Sequence, residues 1–489
     1  MITANIENIY TTLQGFVSPA LKEKISDELS FKIKDAEFAI QAITQRSRLS
    51  LERKHGAAAQ LMKLPQVWDG RKRFFFKKTN KFPTGLISRA VKVLNAEGHE
   101  VFVVDKRIKP PATLDLHLNG LQPHDFQSRI CQASVNAQRG VVRLATGGGK
   151  TEIIAMLLAQ LNRNAVILIH RETIFQQLIE RLSRRLGIKI GAVGGGIYDP
   201  SDITVAMVQT VTQSKFQGFM QSFPVVIADE CHHTPAMTVY DVLQSCSGAY
   251  YRYGFTATPW RDDNAEMFTE AAFGKFISDI GPSELVRSGH LTKPKVAFIE
   301  TDFNPRWNLL SWSGQYAQCV VENEMRNNLI VDVAHQFKIR GKTSIIAVTQ
   351  IRHGKHLLSL IKKKYPDIRV KFIQGEDESE EKQRTLRQLG SRELDVVIAT
   401  SVFGEGIDVP SLDAIINAKA QDSKVDTMQL IGRALRIFKG KDTSYFVDFM
   451  DKQSYTKRHS HKRFSIFDSE SEYEVYSTKT LSEFILKTF

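Results

Sequence analysis

The eight residues Leu144-Ala145-Thr146-Gly147-Gly148-Gly149-Lys150-Thr151 constrain this chain more than any other stretch. They join an apolar run, Val141–Ala145, that reads as a buried strand to a pattern that reads as a helix. Three successive glycines let the backbone curl around an anion with its N–H groups pointing inward. The following helix directs its positive end at the same point. Thr146, Gly147, Gly148 and Gly149 are therefore expected to cradle a nucleotide's phosphates, as in ATP. Lys150 would neutralise the β- and γ-phosphates, and the Thr151 hydroxyl would ligate Mg²⁺.

Such a loop needs a parallel α/β sheet to carry it, and the flanking pattern supplies one. Short apolar strands alternate with helices: Val141–Ala145, Val166–His170, Thr204–Val208, Val225–Ala228 and Tyr253–Thr256. A second series follows at Ser344–Val348, Val370–Ile373, Val396–Thr400, Ala414–Asn417 and Tyr445–Phe449, with no glycine-rich loop of its own. The 489 residues suggest about three domains. We expect an N-terminal domain over 1–115, a first α/β unit over 116–290, a second over 291–450, and an extension over 451–489.

Composition removes several alternatives. With 42% hydrophobic and 24% charged residues, the chain is neither disordered nor fibrous. No apolar run approaches the roughly 18 residues that cross a bilayer, so no membrane partner is expected. The opening MITANIENIY lacks the features of a secretory signal, and a cytoplasmic location is expected (host cytoplasm for a phage-encoded chain). Four scattered cysteines fit a reducing compartment. Cys231-His232-His233 has metal-ligand residue types, but adjacent side chains rarely converge on one ion, so a structural reading is preferred.

The net charge of +13 is uneven. Residues 1–110 hold 20 Lys/Arg against 11 Asp/Glu, a net of +9, and end at Pro110-Pro111. Within this segment, 18–62 reads mainly as helix, Leu86–Ala96 as a helix and Glu100–Val104 as a strand. Between them, an Asp69-Gly70 turn precedes the basic, aromatic-rich stretch Arg71-Lys72-Arg73-Phe74-Phe75-Phe76-Lys77-Lys78. Basic groups beside rings can hold phosphates while the rings stack or wedge against bases; a half-buried strand with solvated lysines reads equally well. Trp68, Arg71, Lys72, Arg73, Lys77 and Lys78 are the candidate nucleic-acid contacts here.

Two further clusters complete the chemistry. Asp229-Glu230 ends the apolar strand Val225–Ala228, about eighty residues after the glycine loop. Acidic groups there need a cation or a proton: Asp229 would hold Mg²⁺ through water, and Glu230 would polarise the attacking water. In the second unit, Gln429-Leu430-Ile431-Gly432-Arg433-Ala434-Leu435-Arg436 places two arginines on one helical face, suited to phosphate. An arginine finger is favoured over pairing with surface carboxylates.

Together these residues resemble the superfamily 2 helicases, in which the first glycine of the phosphate loop, here Leu144, is commonly absent. The resemblance covers roughly 120–450 and implies two RecA-like lobes, ATP and Mg²⁺ as cofactors, and Gln429 beside the nucleotide. Pro123-His124-Asp125-Phe126-Gln127 resembles the adenine-reading motif, with Gln127 as reader. Ile167–Arg171 through Gln177, and Val208-Gln209-Thr210, resemble the strand-tracking motifs, implying nucleic-acid contacts at Arg171, Gln177 and Thr210. Thr256-Ala257-Thr258-Pro259 matches the motif that couples nucleotide state to DNA grip. Thr400 through Asp408 matches one that touches DNA backbone and nucleotide, with Gly406 and Asp408 as its nucleotide-side residues. Trp68-Asp69-Gly70-Arg71 and Phe82-Pro83-Thr84-Gly85-Leu86 resemble the N-terminal domain of phage UvsW-type helicases. That likeness implies branch migration on forks, Holliday junctions and R-loops in replication, recombination and repair.

The expected protein is a monomeric or weakly associating ATP-dependent DNA helicase acting on branched DNA, with RNA a further partner in R-loops. A double-stranded DNA translocase that separates no strands and an RNA helicase are the alternatives. A non-hydrolysing sensor is disfavoured by the full set Lys150, Asp229, Glu230, Arg433 and Arg436.

Overall fold

The computed structural model describes residues 1–34, scattered positions between 36 and 44, 69–258, 265–301, 311–400 and 409–489. It divides into two compact units, 1–143 with 151–278, and 144–150 with 279–489.

The N-terminal part of the first unit is a four-stranded sheet in the order β5-β2-β1-β6. Strands β1 (Ile2–Ile6) and β2 (Tyr10–Gln14) form an antiparallel hairpin, and β6 (Val101–Asp105) runs parallel to β1. β5 (Lys81–Pro83) closes the other edge, while β3 (Ser30–Lys32) and β4 (Arg71–Arg73) pair separately. Helix α1 (Pro19–Glu28) starts where Ser18 Oγ accepts the Leu21 N–H. Helix α2 (Ile87–Ala96) presents Ala90 and Leu94 to the interior. The helix expected over 18–62 is therefore interrupted: α1 stops at Glu28 and β3 follows, because Ser30–Lys32 finds a strand partner in Arg71–Arg73, and helical positions resume from Ala36 to Thr44 among the described residues. Residues 45–62 of that expected helix, and Trp68 beyond it, lie outside the described residues.

This part does not stand apart from the sheet that follows. Phe74 meets Phe268 edge-on at 5.0 Å and Tyr240 at 6.1 Å, and Phe31 meets Phe268 at 5.8 Å. The Phe82–Leu86 stretch is buried. A Cβ at Gly85 would stand 2.0 Å from the Glu270 carbonyl oxygen, so only glycine permits this approach. Arg89 Nε reaches Glu270 at 2.8 Å, and Asn8 is bound from both sides, to Arg139 (3.2 Å) and to the Ser247 carbonyl (2.9 Å). The Pro110-Pro111 connection is likewise pinned: Arg163 Nε donates to the Pro110 carbonyl at 2.8 Å.

The main sheet of the first unit has the order β10-β9-β11-β8-β12-β13-β7-β14. Its central strands are parallel: β7 (Arg139–Leu144), β8 (Ala165–Ile169), β9 (Gly191–Gly194), β11 (Ile203–Met207), β12 (Val225–Asp229) and β13 (Tyr251–Thr256). β10 (Ile197–Asp199) turns back antiparallel on β9, and β14 (Phe276–Ile280) forms the far edge. Near-continuous burial along β8, β12 and β13 is what helices on both faces require. The helices include α3 (Asp125–Ala137), α4 (Lys150–Leu161), α5 (Glu172–Leu186), α6 (Met237–Ser245) and α7 (Glu266–Phe273).

The second unit carries a seven-stranded parallel sheet, β17-β18-β16-β19-β20-β15-β21. Its strands are β15 (Lys293–Glu300), β16 (Ser344–Ala347), β17 (Val370–Ile373), β18 (Val396–Ala399), β19 (Ala414–Asn417), β20 (Thr443–Met450) and β21 (Glu474–Thr478). Residues 451–489 are built into this sheet: β21 pairs with β15, and α12 (Ser454–Asp468, numbered after α8 to α11 below) anchors Arg463 on Asp448. Its other helices include α8 (Glu324–Lys338), α9 (Ile351–Lys364), α10 (Ser379–Gly390), α11 (Lys424–Ala434) and, after α12, α13 (Leu481–Thr488). Both main sheets are RecA-like in class, an α/β architecture of parallel strands flanked by helices.

Candidate active site and nucleic-acid surface

Ligands of open parallel sheets gather at the carboxyl ends of the strands. The singled-out residues follow the carboxyl ends of the strands of the first main sheet. The glycine loop follows β7, Arg171 follows β8, Thr210 follows β11, Asp229-Glu230 ends β12, and Thr256 ends β13. β13 separates β12 from β7, so the ends of those two strands lie two strand spacings, roughly 10 Å, apart.

The loop has the backbone that an anion cradle demands. Gly147 (φ 90°) and Gly149 (φ 83°) occupy the left-handed region, and the Gly148 N–H turns back to the Ala145 carbonyl at 3.0 Å. Helix α4 then begins at Lys150, with Ile153 to Leu158 buried, so its N-terminus is held firmly. Thr146, Lys150 and Thr151 are half-buried. Among the described residues no group of three or more His, Cys, Asp or Glu could by itself hold a metal ion. A magnesium ion between Thr151 and Asp229 would thus draw its other ligands from phosphate and water, as this ion ordinarily does. The donor set fits a magnesium nucleotide.

Glu230 also sits in the left-handed region (φ 49°), and its N–H donates to Asp229 Oδ1 at 3.0 Å. That turn sends the two carboxylates different ways. Glu230 Oε2 lies 3.3 Å from His232 Nδ1, which is 3.1 Å from Thr256 Oγ1. Thr256 Oγ1 in turn accepts the Thr258 N–H at 3.1 Å. Glu230, His232, Thr256 and Thr258 thus form one short polar chain, with the threonines and His232 buried. The link through His232 was not anticipated from sequence; a histidine two residues beyond the paired acids was its signal. His232 also stacks at 4.2 Å on His233, whose ring is 4.8 Å from His170.

His170 directly precedes Arg171, the first of the residues expected to contact a nucleic-acid strand. Gln209 Nε2 donates to the His170 carbonyl at 2.6 Å, joining the ends of β11 and β8. Arg171, the N-cap of α5, and Gln177 are exposed, and Thr210 is half-buried. Gln127 has a role that sequence did not foretell: its Oε1 accepts the His124 N–H at 3.0 Å as part of a capping box on α3.

In the second unit, α11 carries Gln429, which is buried, and Arg433, half-buried in the last turn; Arg436 follows, also half-buried. Thr400 is buried at the end of β18, and its N–H donates to the Ile373 carbonyl at 3.3 Å. Gly406 and Asp408, like Pro259, lie outside the described residues.

The basic N-terminal stretch is partly occupied by its own fold. Arg73 forms a two-point ion pair with Asp69, holding the Asp69 carboxyl well below the usual carboxylate range. Lys77 Nζ pairs with Glu23 at 2.5 Å, Arg71 Nε donates to Ser30 Oγ at 3.0 Å, and Lys72 lies over the Phe268 ring at 5.6 Å. Lys78 is exposed at the turn before β5.

Known proteins resemble this chain over much of its length. Residues 116–261 match the family model described as "Type III restriction enzyme, res subunit", and 325–438 match "Helicase conserved C-terminal domain". The ATP-dependent DNA helicase uvsW of Enterobacteria phage T4 is 23% identical over 419 residues, 78% of this chain and 82% of its own. The DNA 3'-5' translocase XPB2 of Sulfurisphaera tokodaii is 23% identical over 65% of this chain and 79% of its own. A helicase-named relative from Saccharomyces cerevisiae is 26% identical over 68% of this chain, which spans only 52% of that relative. Among solved structures, Saccharomyces cerevisiae Dbp5 bound to RNA and ADP BeF3 superposes with a TM-score of 0.54 at 15% identity, over 75% of this chain and 93% of its own. The ATP-dependent Type ISP restriction-modification enzyme LlaBIII bound to DNA gives 0.56 at 14% identity, over 82% of this chain and 35% of its own.

Proposed function

We infer that this chain, which belongs to the superfamily 2 helicases and shares their dependence on ATP, remodels branched DNA by translocation and branch migration. The observation that carries the reading is the joining of the basic N-terminal part to the nucleotide-site sheet through the buried Phe82–Leu86 stretch and α7, in a chain aligned with uvsW over most of both lengths. A nucleic-acid grip fixed to the motor's own sheet suits an enzyme that holds duplex near a junction while its strand contacts advance.

The residues act as follows. The loop N–H groups and Lys150 hold the phosphates; Thr151 and Asp229 hold magnesium; Glu230 orients water; Arg433 and Arg436 meet charge developing on the transferred phosphoryl group. Magnesium nucleotide supplies the cleavable phosphoanhydride. His232 keeps Glu230 in register with Thr256 and Thr258, so a change at the γ-phosphate position is passed to β13 and the loop beyond. Arg171, Gln177 and Thr210 contact strand backbone, largely independent of sequence. Translocation on duplex without strand separation is the second reading, favoured by the XPB2 relative's name.

A panel of fork, four-way junction, R-loop, linear duplex and single strand decides between them, scored for ATP turnover and strand displacement. Branch remodelling requires preference for the first three; equal activity on all five removes it. Stimulation by linear duplex without displacement supports the translocase.

A further inference from the structure

The C-terminal end of α11 is held by buried side chains to which the reaction gives no role. A helix leaves its last carbonyls without intrahelical partners. Here the Ala434 carbonyl accepts from Lys441 Nζ and from Ser444 Oγ, each at 2.5 Å. The Leu435 carbonyl accepts the Thr292 N–H at 2.8 Å and its hydroxyl at 3.0 Å. The Arg436 carbonyl accepts from Lys441 Nζ at 3.1 Å, and the same ammonium reaches the Pro410 carbonyl at 3.2 Å. Lys441 is only 7% exposed, and its three N–H groups meet three carbonyl oxygens. Two belong to the segment bearing Arg433 and Arg436; the third lies just beyond the 401–408 stretch.

We propose that Lys441 is a positioning residue for ATP hydrolysis, its ammonium fixing the end of α11, and so Arg433 and Arg436, against the backbone at Pro410. The proposal rests on the reading that those arginines serve the phosphates. Only the charged form can make the full set: a neutral amine has two N–H groups and a lone pair, which would face the third carbonyl.

This hold is sensitive to alkali. Burial, aided by the charges of Arg436 and Lys342 and opposed by Asp413, brings the Lys441 pKa down to about 8. Asp413 itself accepts the Thr343 N–H at 2.9 Å and lies 3.4 Å from Arg392, while Lys342 lies over the Tyr445 ring. The folded value lies below the ordinary 10.5. Between the two, the unfolded chain binds the proton that the folded chain has released, so this group raises stability with pH through that window. Activity therefore falls above about pH 8 while the fold persists, which separates loss of position from unfolding.

The test uses the full chain with saturating forked DNA, measuring ATP turnover from pH 6.5 to 10 alongside thermal melting. Lys441→Met is expected to lower kcat about tenfold or more at every pH with little change in KM for ATP. Lys441→Arg keeps its charge and is expected to retain activity and move the alkaline limb upward by at least about one pH unit. Wild-type kcat in Lys441→Met, or an unmoved alkaline limb in Lys441→Arg, overturns the proposal. If Lys441→Met fails to fold, the Arg variant's limb still decides. Arg433→Ala separates the two readings. Full turnover in that variant removes the arginine role itself, whereas its inactivity beside a normal Lys441→Met removes only the positioning role.

Discussion

Glu230 Oε2 stands 3.3 Å from His232 Nδ1, and the same nitrogen is 3.1 Å from the Thr256 hydroxyl. One buried imidazole therefore stands between the acid proposed to orient water and the end of β13. His232→Ala is expected to cut DNA-stimulated ATP turnover about tenfold, roughly 1.4 kcal/mol of barrier. Strand displacement should fall further than turnover, and measuring both on one fork reads the ratio.

Phe74 is 3% exposed and packs between Phe268 and Tyr240. Phe74→Ala should cost about 3–5 kcal/mol by leaving a cavity between the N-terminal part and α7. Gly85→Ala should cost about 1–3 kcal/mol, since its methyl would meet the Glu270 carbonyl. Arg89→Ala should cost under about 1 kcal/mol, because that guanidinium is partly exposed. Denaturant unfolding of the three variants checks the ranking.

Arg463 and Asp448 form a bidentate pair that is 1% and 0% exposed, and Asn417 adds a bond to the same carboxylate at 2.8 Å. Arg463→Met is expected to destabilise the second unit by about 3–5 kcal/mol, because it strands a buried carboxylate. Replacing both Arg463 and Asp448 with apolar residues should cost less than the single change. A double-mutant cycle by thermal melting measures the difference.

Lys78 is exposed, whereas Arg73 is tied to Asp69 and Lys77 to Glu23. Lys78→Ala is therefore expected to reduce the slope of log affinity against log salt for duplex by about one. Arg73→Ala should change it less. Fluorescence anisotropy over a salt series reports both slopes.

The two parallel sheets were legible because their central strands are apolar on both faces and end at chemically marked loops. The ten strands expected from the alternation all appear, with ends shifted by a residue or two. Strands β1, β2 and β21 went unread, since their alternation is short and mixed with polar residues. The helix expected after residue 18 is interrupted at Ser30–Lys32, for pairing of β3 with β4 is a contact distant in sequence and outweighs local propensity. The same limit hid His232 and Lys441. Their residue types are ordinary; what marks them is the partners the fold gathers around them, some near in sequence, such as Glu230, Ala434 and Arg436, and some distant, such as Thr256 and Pro410. The basic stretch 71–78 was read as all nucleic-acid surface or all strand, and its residues divide between internal pairs and exposed lysine.

The central claim is that one nucleotide site, built on Lys150, powers the remodelling of DNA. Lys150→Ala should bind forked DNA with nearly wild-type affinity yet show neither DNA-stimulated ATP hydrolysis nor branch migration. A folded Lys150→Ala protein that still hydrolyses ATP in the presence of that DNA would contradict the account.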